Sequence, residues 1–309
     1  MSHWKTVLKN LWPVAPRTPS DSYLKTNIET IRSTLKGQGP HSRQQDQNRG
    51  MQLVFNLSAR HAVSFLDVQS GLPGRGRYLN RAAVTHLAGK PLTGTTVRER
   101  VDRVVTRVAA SVGRSVATTD IHFGAAELNS SGIAYFGDVC LVLKSDKVPG
   151  GLLSLLRNSY DLTVAPVFAQ IYVNGNRSKT EDNAVRVMTE WAGTWPDETG
   201  DLVVVKILQY APPSERRLTT GLISTGVLQD EDFIEVVYEK SFTPKEVREI
   251  RLSPMDVARE AQIADRTMRG PSPSAADMLW RYRRRQVERD AKRVGLTCRV
   301  VTHSGRSRA

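Results

Sequence analysis

The stretch Phe233-Ile234-Glu235-Val236-Val237-Tyr238 is rich in β-branched and aromatic residues and predicts a short β-strand. Strand alternation places Phe233, Glu235 and Val237 on one face of that strand. Two interpretations of the acid stay open. Glu235 is either a solvated strand residue or a buried carboxylate that is paired or used, because burying an unpaired carboxylate is costly.

The segments around this stretch predict a mixed fold. Strand-like runs cover 132–144, 167–173, 202–209 and 296–302, and helical patterns cover 20–35, 95–112, 183–191 and 278–294. Strands outnumber helices in the middle of the chain and short loops separate them, which favours an α+β fold with a mainly antiparallel sheet over a doubly wound one. No βαβ unit carries a Gly-x-Gly-x-x-Gly turn, so a Rossmann site is not predicted.

Composition shifts divide the sequence into three consecutive segments. Residues 1–49 hold a helix and a linker rich in Gly, Pro, Ser and Gln. Residues 50–255 form the core, and residues 256–309 form a basic helical extension whose main helix follows the Pro-Ser-Pro-Ser run at 271–274.

The charge balance favours a polyanionic partner. The chain has 44 Lys and Arg against 31 Asp and Glu, a net charge of +13, and residues 275–309 hold ten basic and three acidic side chains. No run of 18 apolar residues predicts a membrane span, and no signal peptide is apparent. Cys140 and Cys298 lie in strand-like runs and are predicted to be buried thiols in a reducing cytoplasm, with no metal site.

Two helices carry the arginines that are candidates for nucleic-acid binding. In the helix over 95–112, Thr96 and Glu99 form a capping box and a row of valines predicts the buried face. Rows of arginine on the other faces are either solvated or phosphate-contacting. The candidate contacts are Arg100, Arg103 and Arg107 on this helix and Arg281, Arg284 and Arg285 on the C-terminal helix.

Three short motifs resemble those of ADP-ribosyltransferase toxin domains. Phe233-Ile234-Glu235 is similar to the aromatic–apolar–Glu strand of that family, and Val247-Arg248-Glu249-Ile250 is similar to the segment that follows it. Ile223-Ser224-Thr225-Gly226 resembles the start of the family's Ser-Thr-Ser strand. The resemblance covers about residues 50–255, and its most specific part is the region of Glu235.

The resemblance implies an ADP-ribosyltransferase-type sheet core and NAD as the bound cofactor. It implies Glu235 as the catalytic residue and Ser224, Thr225 and Arg157 as NAD contacts. Phe233 stands where arginine-modifying members carry Glu or Gln, so the acceptor is expected to be a nucleic acid, RNA rather than DNA. Such members act as toxins or antiviral defence effectors, and an antitoxin or chaperone is an expected partner.

Two other classes of function remain as alternatives. One is a non-catalytic nucleic-acid-binding or phage structural protein, for which Glu235 lies on an open sheet face. The other is a nuclease, for which Asp201 and Lys206 share a strand with a second acid nearby. A modifying enzyme instead predicts Glu235 in a recess near Ser224.

Overall fold

The computed structural model describes residues 21–37, 50–90, 96–160, 180–210, 223, 233–270 and 272–301. Within these residues the chain is α+β, with eight helices and eight mostly antiparallel strands. It forms two compact units, which we call unit 1 (1–51, 80–128 and 149–240) and unit 2 (52–79, 129–148 and 241–309). This grouping differs from the three consecutive segments of the sequence analysis, because strands far apart in sequence pair with one another.

Four of the eight helices correspond to predicted ones, and the other four are not among the predictions. The eight helices are α1 (Asp21–Leu35), α2 (Ala59–Leu66), α3 (Arg81–Leu87), α4 (Val97–Ser111), α5 (Thr180–Glu190), α6 (Thr199–Tyr210), α7 (Pro254–Arg269) and α8 (Ala275–Arg293). The capping box of Thr96 and Glu99 starts α4 as predicted, and Ser274 caps α8. No helix in the described ranges is both long and apolar enough to cross a bilayer.

The strands are short. They are β1 (Gln52–Leu57), β2 (His122–Glu127), β3 (Val139–Leu143), β4 (Leu152–Leu155), β5 (Ala192–Trp195), β6 (Glu235–Tyr238), β7 (Val247–Leu252) and β8 (Thr297–Val300). The strand predicted over 132–144 is confirmed only for its last part. The strand predicted over 167–173 and most of the predicted linker lie outside the described residues.

Unit 1 contains four antiparallel strands in the order β5-β4-β6-β2. Helix α6 packs against β4 and β5. The hydroxyls of Ser154 on β4 and Thr199 at the start of α6 lie 2.6 Å apart. Since side chains alternate along a strand, the face of β4 that carries Ser154 is the one beneath α6.

The strand predicted over 202–209 is wrong, because this run lies within helix α6. Leu202, Val203, Val204 and Ile207 are all buried, as is Lys206. A short run that is apolar almost throughout has no clear period, so its sequence does not distinguish a strand from a buried helix. The nuclease interpretation requires Asp201 and Lys206 on one strand, and both residues lie on a helix instead.

Unit 2 contains strands in the order β1-β3-β7-β8, antiparallel except for the parallel pair β7 and β8. Helix α8 packs against α2 and also contacts β8. An aromatic cluster lies in the core, where the rings of Tyr78 and Phe242 stack with centroids 4.7 Å apart. The basic C-terminal helix is therefore part of the packed unit.

A buried ionic cluster surrounds Glu249 on β7. Its Oε1 accepts from Arg251 Nε at 2.9 Å, from Arg248 at 3.2 Å and from Arg299 at 3.4 Å. Arg251 is 1% exposed and also donates to Ser130 O at 3.1 Å. Burial by itself raises the pKa of Glu249, but the three guanidinium groups outweigh burial, so that this pKa lies below its ordinary value.

We predict that Glu249→Gln lowers the free energy of unfolding by about 3–5 kcal/mol, because it leaves the buried Arg251 guanidinium without its carboxylate. Urea unfolding measures the change. The carboxylate with a depressed pKa stabilises the fold above its unfolded pKa, near 4.5, and this contribution is lost as the pH falls through the folded pKa. The difference in the free energy of unfolding between parent and variant should therefore be largest at neutral pH and should shrink below about pH 4.5.

The matched control is Glu190→Gln, which makes the same change in an exposed pair with Arg186. It should alter the free energy of unfolding by only ~0–1 kcal/mol. A Glu249→Gln effect as small as that of the control would show that the cluster does not stabilise unit 2.

Candidate functional site

Glu235 is the first residue of β6 and is only 4% exposed. It lies opposite Ala125 of β2 and Leu155 of β4. Directly opposed residues share a face of the sheet, so Glu235 projects from the face opposite to the one under α6. The strand predicted over 233–238 is confirmed for 235–238, where every residue is buried, and the interpretation of Glu235 as a solvated residue is wrong.

The segment that follows β4 holds the Glu235 carboxylate. Ser159 donates its backbone N–H to Glu235 Oε2 at 2.7 Å, and Asn158 and Ser159 are themselves buried. A hydrogen bond from a neutral donor to a charged acceptor is stronger than one between neutral groups and offsets part of the cost of burial. The pairing of Leu155 with Glu235 places this segment next to the acid.

A second buried carboxylate lies on the same face. Glu127 ends β2, is 0% exposed, and accepts from Leu128 N at 2.6 Å. The hydrogen bond from Ala126 N to Ile234 O extends the register of β2 and β6 by one residue. Glu127 is therefore a diagonal neighbour of Glu235, a relation that separates residues by about 7–8 Å.

Glu127 is not among the predicted site residues, although its sequence signal resembles that of Glu235. It is also an acid at the edge of an apolar run, Gly-Ala-Ala-Glu-Leu at 124–128. The sequence does not show that the two runs pair or in which register, and the register is what brings the two acids to one face.

Arg157 lies two residues before Ser159 and is half-buried. Its guanidinium carbon is 5.3 Å from the ring centroid of Trp191, a buried residue that immediately precedes β5. A cation over an aromatic face is held in orientation by the ring quadrupole. The structure thus connects Arg157 with Glu235 through one short segment, whereas Ser224 and Thr225 lie outside the described residues.

Helix α4 covers another part of this face. Phe123 lies two residues before Ala125 on β2, and the Arg98 guanidinium sits 4.1 Å from the Phe123 ring centroid. Arg98 also pairs with the buried Asp102 at 3.3 Å. Burial raises the pKa of Asp102, and Arg98 only partly opposes this effect.

The predicted arginine row on α4 faces helix α5. Arg103 binds Glu181 at 2.7 Å and Arg107 binds Asp182 at 2.6 Å. Both acids belong to the first turn of α5, where negative charge also suits the helix dipole. These two arginines pair with acids of their own unit. Arg100 is exposed, and among the described residues no acid pairs with it.

Arg284 is the clearest correction among the predicted nucleic-acid contacts. It is 0% exposed, because its face of α8, shared with Val287 and Ala291, packs toward α2 and β8. Among the described residues, none of its three side-chain nitrogens has a hydrogen-bond partner, and its ion pair with Glu288 spans 3.6 Å. A fully buried guanidinium cannot contact a phosphate at the surface.

The exposed face of α8 carries a different set of basic residues. With 3.6 residues per turn, one stripe contains the half-buried Arg281 and the exposed Arg285, Arg289 and Lys292, and Tyr282 lies beside it. Arg285 donates to Glu260 of α7 at 2.6 Å. Within the described ranges, no acid pairs with Arg281, Arg289 or Lys292.

Comparison with protein-family models, with curated proteins and with solved structures found no match to this chain.

We predict that Arg284→Met raises the free energy of unfolding by about 1–4 kcal/mol, because an apolar side chain of similar length replaces a buried charge that lacks hydrogen bonds. Chemical denaturation of the full chain measures the effect. Arg289→Met, the same change at an exposed position of α8, should stay within about 0.5 kcal/mol. A loss of stability in Arg284→Met would mean that the buried guanidinium is satisfied in solution.

Proposed function

We propose that this chain is an NAD-dependent ADP-ribosyltransferase that modifies a nucleic acid, with Glu235 as its catalytic carboxylate. The observation that carries the proposal is the setting of Glu235, which is buried, bound by Ser159 N–H and accompanied by Glu127 on the same sheet face. Burial favours an enzyme over a binding module, for which Glu235 was expected on an open face.

The two carboxylates suit chemistry at a glycosidic bond. The bond between the nicotinamide nitrogen and ribose C1′ breaks, and its electron pair leaves with nicotinamide. Positive charge develops on the ribose, and a carboxylate fixed nearby in a setting of low dielectric stabilises that charge. The nucleophile of the acceptor then bonds to C1′ and loses a proton. Glu127, the second carboxylate on the face, is the proposed acceptor of that proton.

The neighbouring residues match the other requirements of the substrate. A pyrophosphate needs a cation with fixed geometry, and Arg157 is oriented by the Trp191 ring. Ser224 and Thr225 remain the proposed contacts of the nicotinamide ribose on the strength of the sequence resemblance. As a toxin or defence effector, such an enzyme would be held in check by an antitoxin or chaperone.

A nucleic-acid acceptor is supported by the net charge of +13 and by the exposed basic stripe of α8. The same two observations favour the second candidate, a non-catalytic nucleic-acid-binding or phage structural protein. The candidates differ in one respect, since only the first transfers a label from NAD.

We predict that Glu235→Gln reduces NAD-dependent transfer by at least about 10²–10³-fold, the usual effect of removing one electrostatic contact to a transition state. Gln preserves size and can still accept from Ser159 N–H, so the variant should melt near the parent temperature. The assay incubates the full chain with NAD labelled in the adenylate, separately with RNA, DNA and total protein.

Glu190→Gln on the exposed side of α5 is the control and should transfer at the parent rate. Equal transfer by Glu235→Gln would contradict the catalytic assignment. Labelling of protein alone would retain the enzyme and reject the nucleic-acid acceptor. A parent chain that binds nucleic acid but transfers no label to any fraction would favour the second candidate.

A further inference from the structure

Two adjacent aromatic side chains on the segment that leads into β3 are each more than half exposed. Tyr135 is 64% exposed and Phe136 is 52% exposed. Their ring centroids lie 5.3 Å apart and their planes are inclined at 85°. We call the segment that carries the two rings, residues 131–137, the aromatic turn.

A single side chain on β1 organises the backbone of the turn. Asn56 Nδ2 donates to Ser131 O and to Gly137 O, each at 3.0 Å. Asn56 Oδ1 accepts from Ile133 N at 2.8 Å. One amide therefore connects both ends of the turn to the strand beneath it.

The residue after the turn adds a second anchor. Asp138 accepts from Ala59 N at the start of α2 at 2.8 Å and from Trp280 Nε1 of α8 at 2.7 Å. The base of the aromatic turn is thereby fixed to two helices of unit 2. Arg259 of α7 covers the Trp280 ring at 4.5 Å.

Two glycines show how closely the backbone of the turn approaches its support. A Cβ at Gly132, where φ is +70°, would meet Asn56 Oδ1 at 2.2 Å. A Cβ at Gly137 would meet the Leu57 carbonyl carbon at 2.0 Å. The backbone of the turn is close-packed, which fixes the positions from which the two exposed rings project.

Exposed aromatic rings on a rigidly held loop are typical of a binding surface, because a fixed side chain loses little entropy when it binds. In the same unit, Trp280 is hydrogen-bonded to Asp138 at the base of the turn. The next two residues of α8 are Arg281, which begins the basic stripe, and Tyr282. Aromatic rings combined with unpaired basic side chains form the combination that single-stranded nucleic acids require, since bases stack on rings while phosphates pair with cations.

We propose that Tyr135 and Phe136 form a base-stacking platform for single-stranded nucleic acid, whose phosphates contact Arg281, Arg289 and Lys292. This inference builds on the nucleic-acid acceptor of the proposed function and specifies it as unpaired strands. Binding itself needs neither NAD nor Glu235, so the two proposals can fail separately.

The test measures binding of the full chain to a fluorescent 12-nucleotide uridine strand and to a duplex of the same length, at several salt concentrations. Tyr135→Ala/Phe136→Ala should weaken binding of the single strand by about fivefold to a hundredfold for each base that loses its stacking partner. The salt dependence should stay as in the parent, because no phosphate contact is lost. Binding to the duplex should not change, since its bases already stack on one another.

Three further variants distinguish the loss of base stacking from the loss of phosphate contacts and from an unspecific effect of substitution. Tyr135→Phe keeps the ring and should bind as the parent does. Arg281→Gln/Arg289→Gln should reduce the log–log salt slope by about two units or less and weaken both ligands. Tyr160→Ala removes a tyrosine of unit 1 that is 50% exposed and should leave binding unchanged.

Unchanged binding of the single strand by the double aromatic variant would overturn the proposal, as would an equal loss for strand and duplex. Glu235→Gln should bind the strand at parent affinity while it transfers no label. If the platform variants bind normally and the parent transfers label, the proposed function stands and the platform is rejected. If the parent binds the strand through the platform but transfers no label, the platform stands and the proposed function is rejected.

Discussion

The hydrogen bond from Ser159 N–H to the Glu235 carboxylate is the contact on which the candidate site depends. It joins two segments that are far apart in sequence, the one after β4 and the first residue of β6. The pairing of Leu155 with Glu235 sets the approach of these segments, and the same register places Glu127 on the shared face. A shift of one residue would turn Glu235 to the face beneath α6 and separate it from Glu127.

The buried acids of the two units have different surroundings, and this difference guides their assignment. Glu249 is surrounded by guanidinium groups that lower its pKa, as expected for a group that stabilises a fold. Glu235 accepts from the backbone amide of Ser159, and a second carboxylate, Glu127, lies on its face of the sheet. Two carboxylates that share a sheet face suit a reaction in which positive charge appears on a sugar, whereas a saturated ion cluster leaves no site for a substrate.

The basic composition overstates the surface available to a polyanion. Arginines of α4 bind acids of α5, Arg114 binds Glu239, and Arg284 lies inside the packed face of α8. Among the described residues of unit 2, the exposed side chains include the stripe of α8 and the two rings of the aromatic turn. A surface that combines rings with cations selects unpaired bases, whereas cations alone would bind any phosphate backbone.

The sequence by itself determined the elements that local chemistry defines. The Thr96–Glu99 box starts α4, and the β-branched and aromatic run at 233–238 contains the strand of Glu235, because caps and strand propensity involve only neighbours in the chain. Tertiary structure decided the rest. The apolar run at 202–209 became a helix because strands of unit 1 pack against it, and Arg284 became buried because α8 turns that face toward α2. The partnership of Glu127 with Glu235 arises from strand register, which depends on pairing between segments separated by more than a hundred residues and leaves no trace in either segment alone.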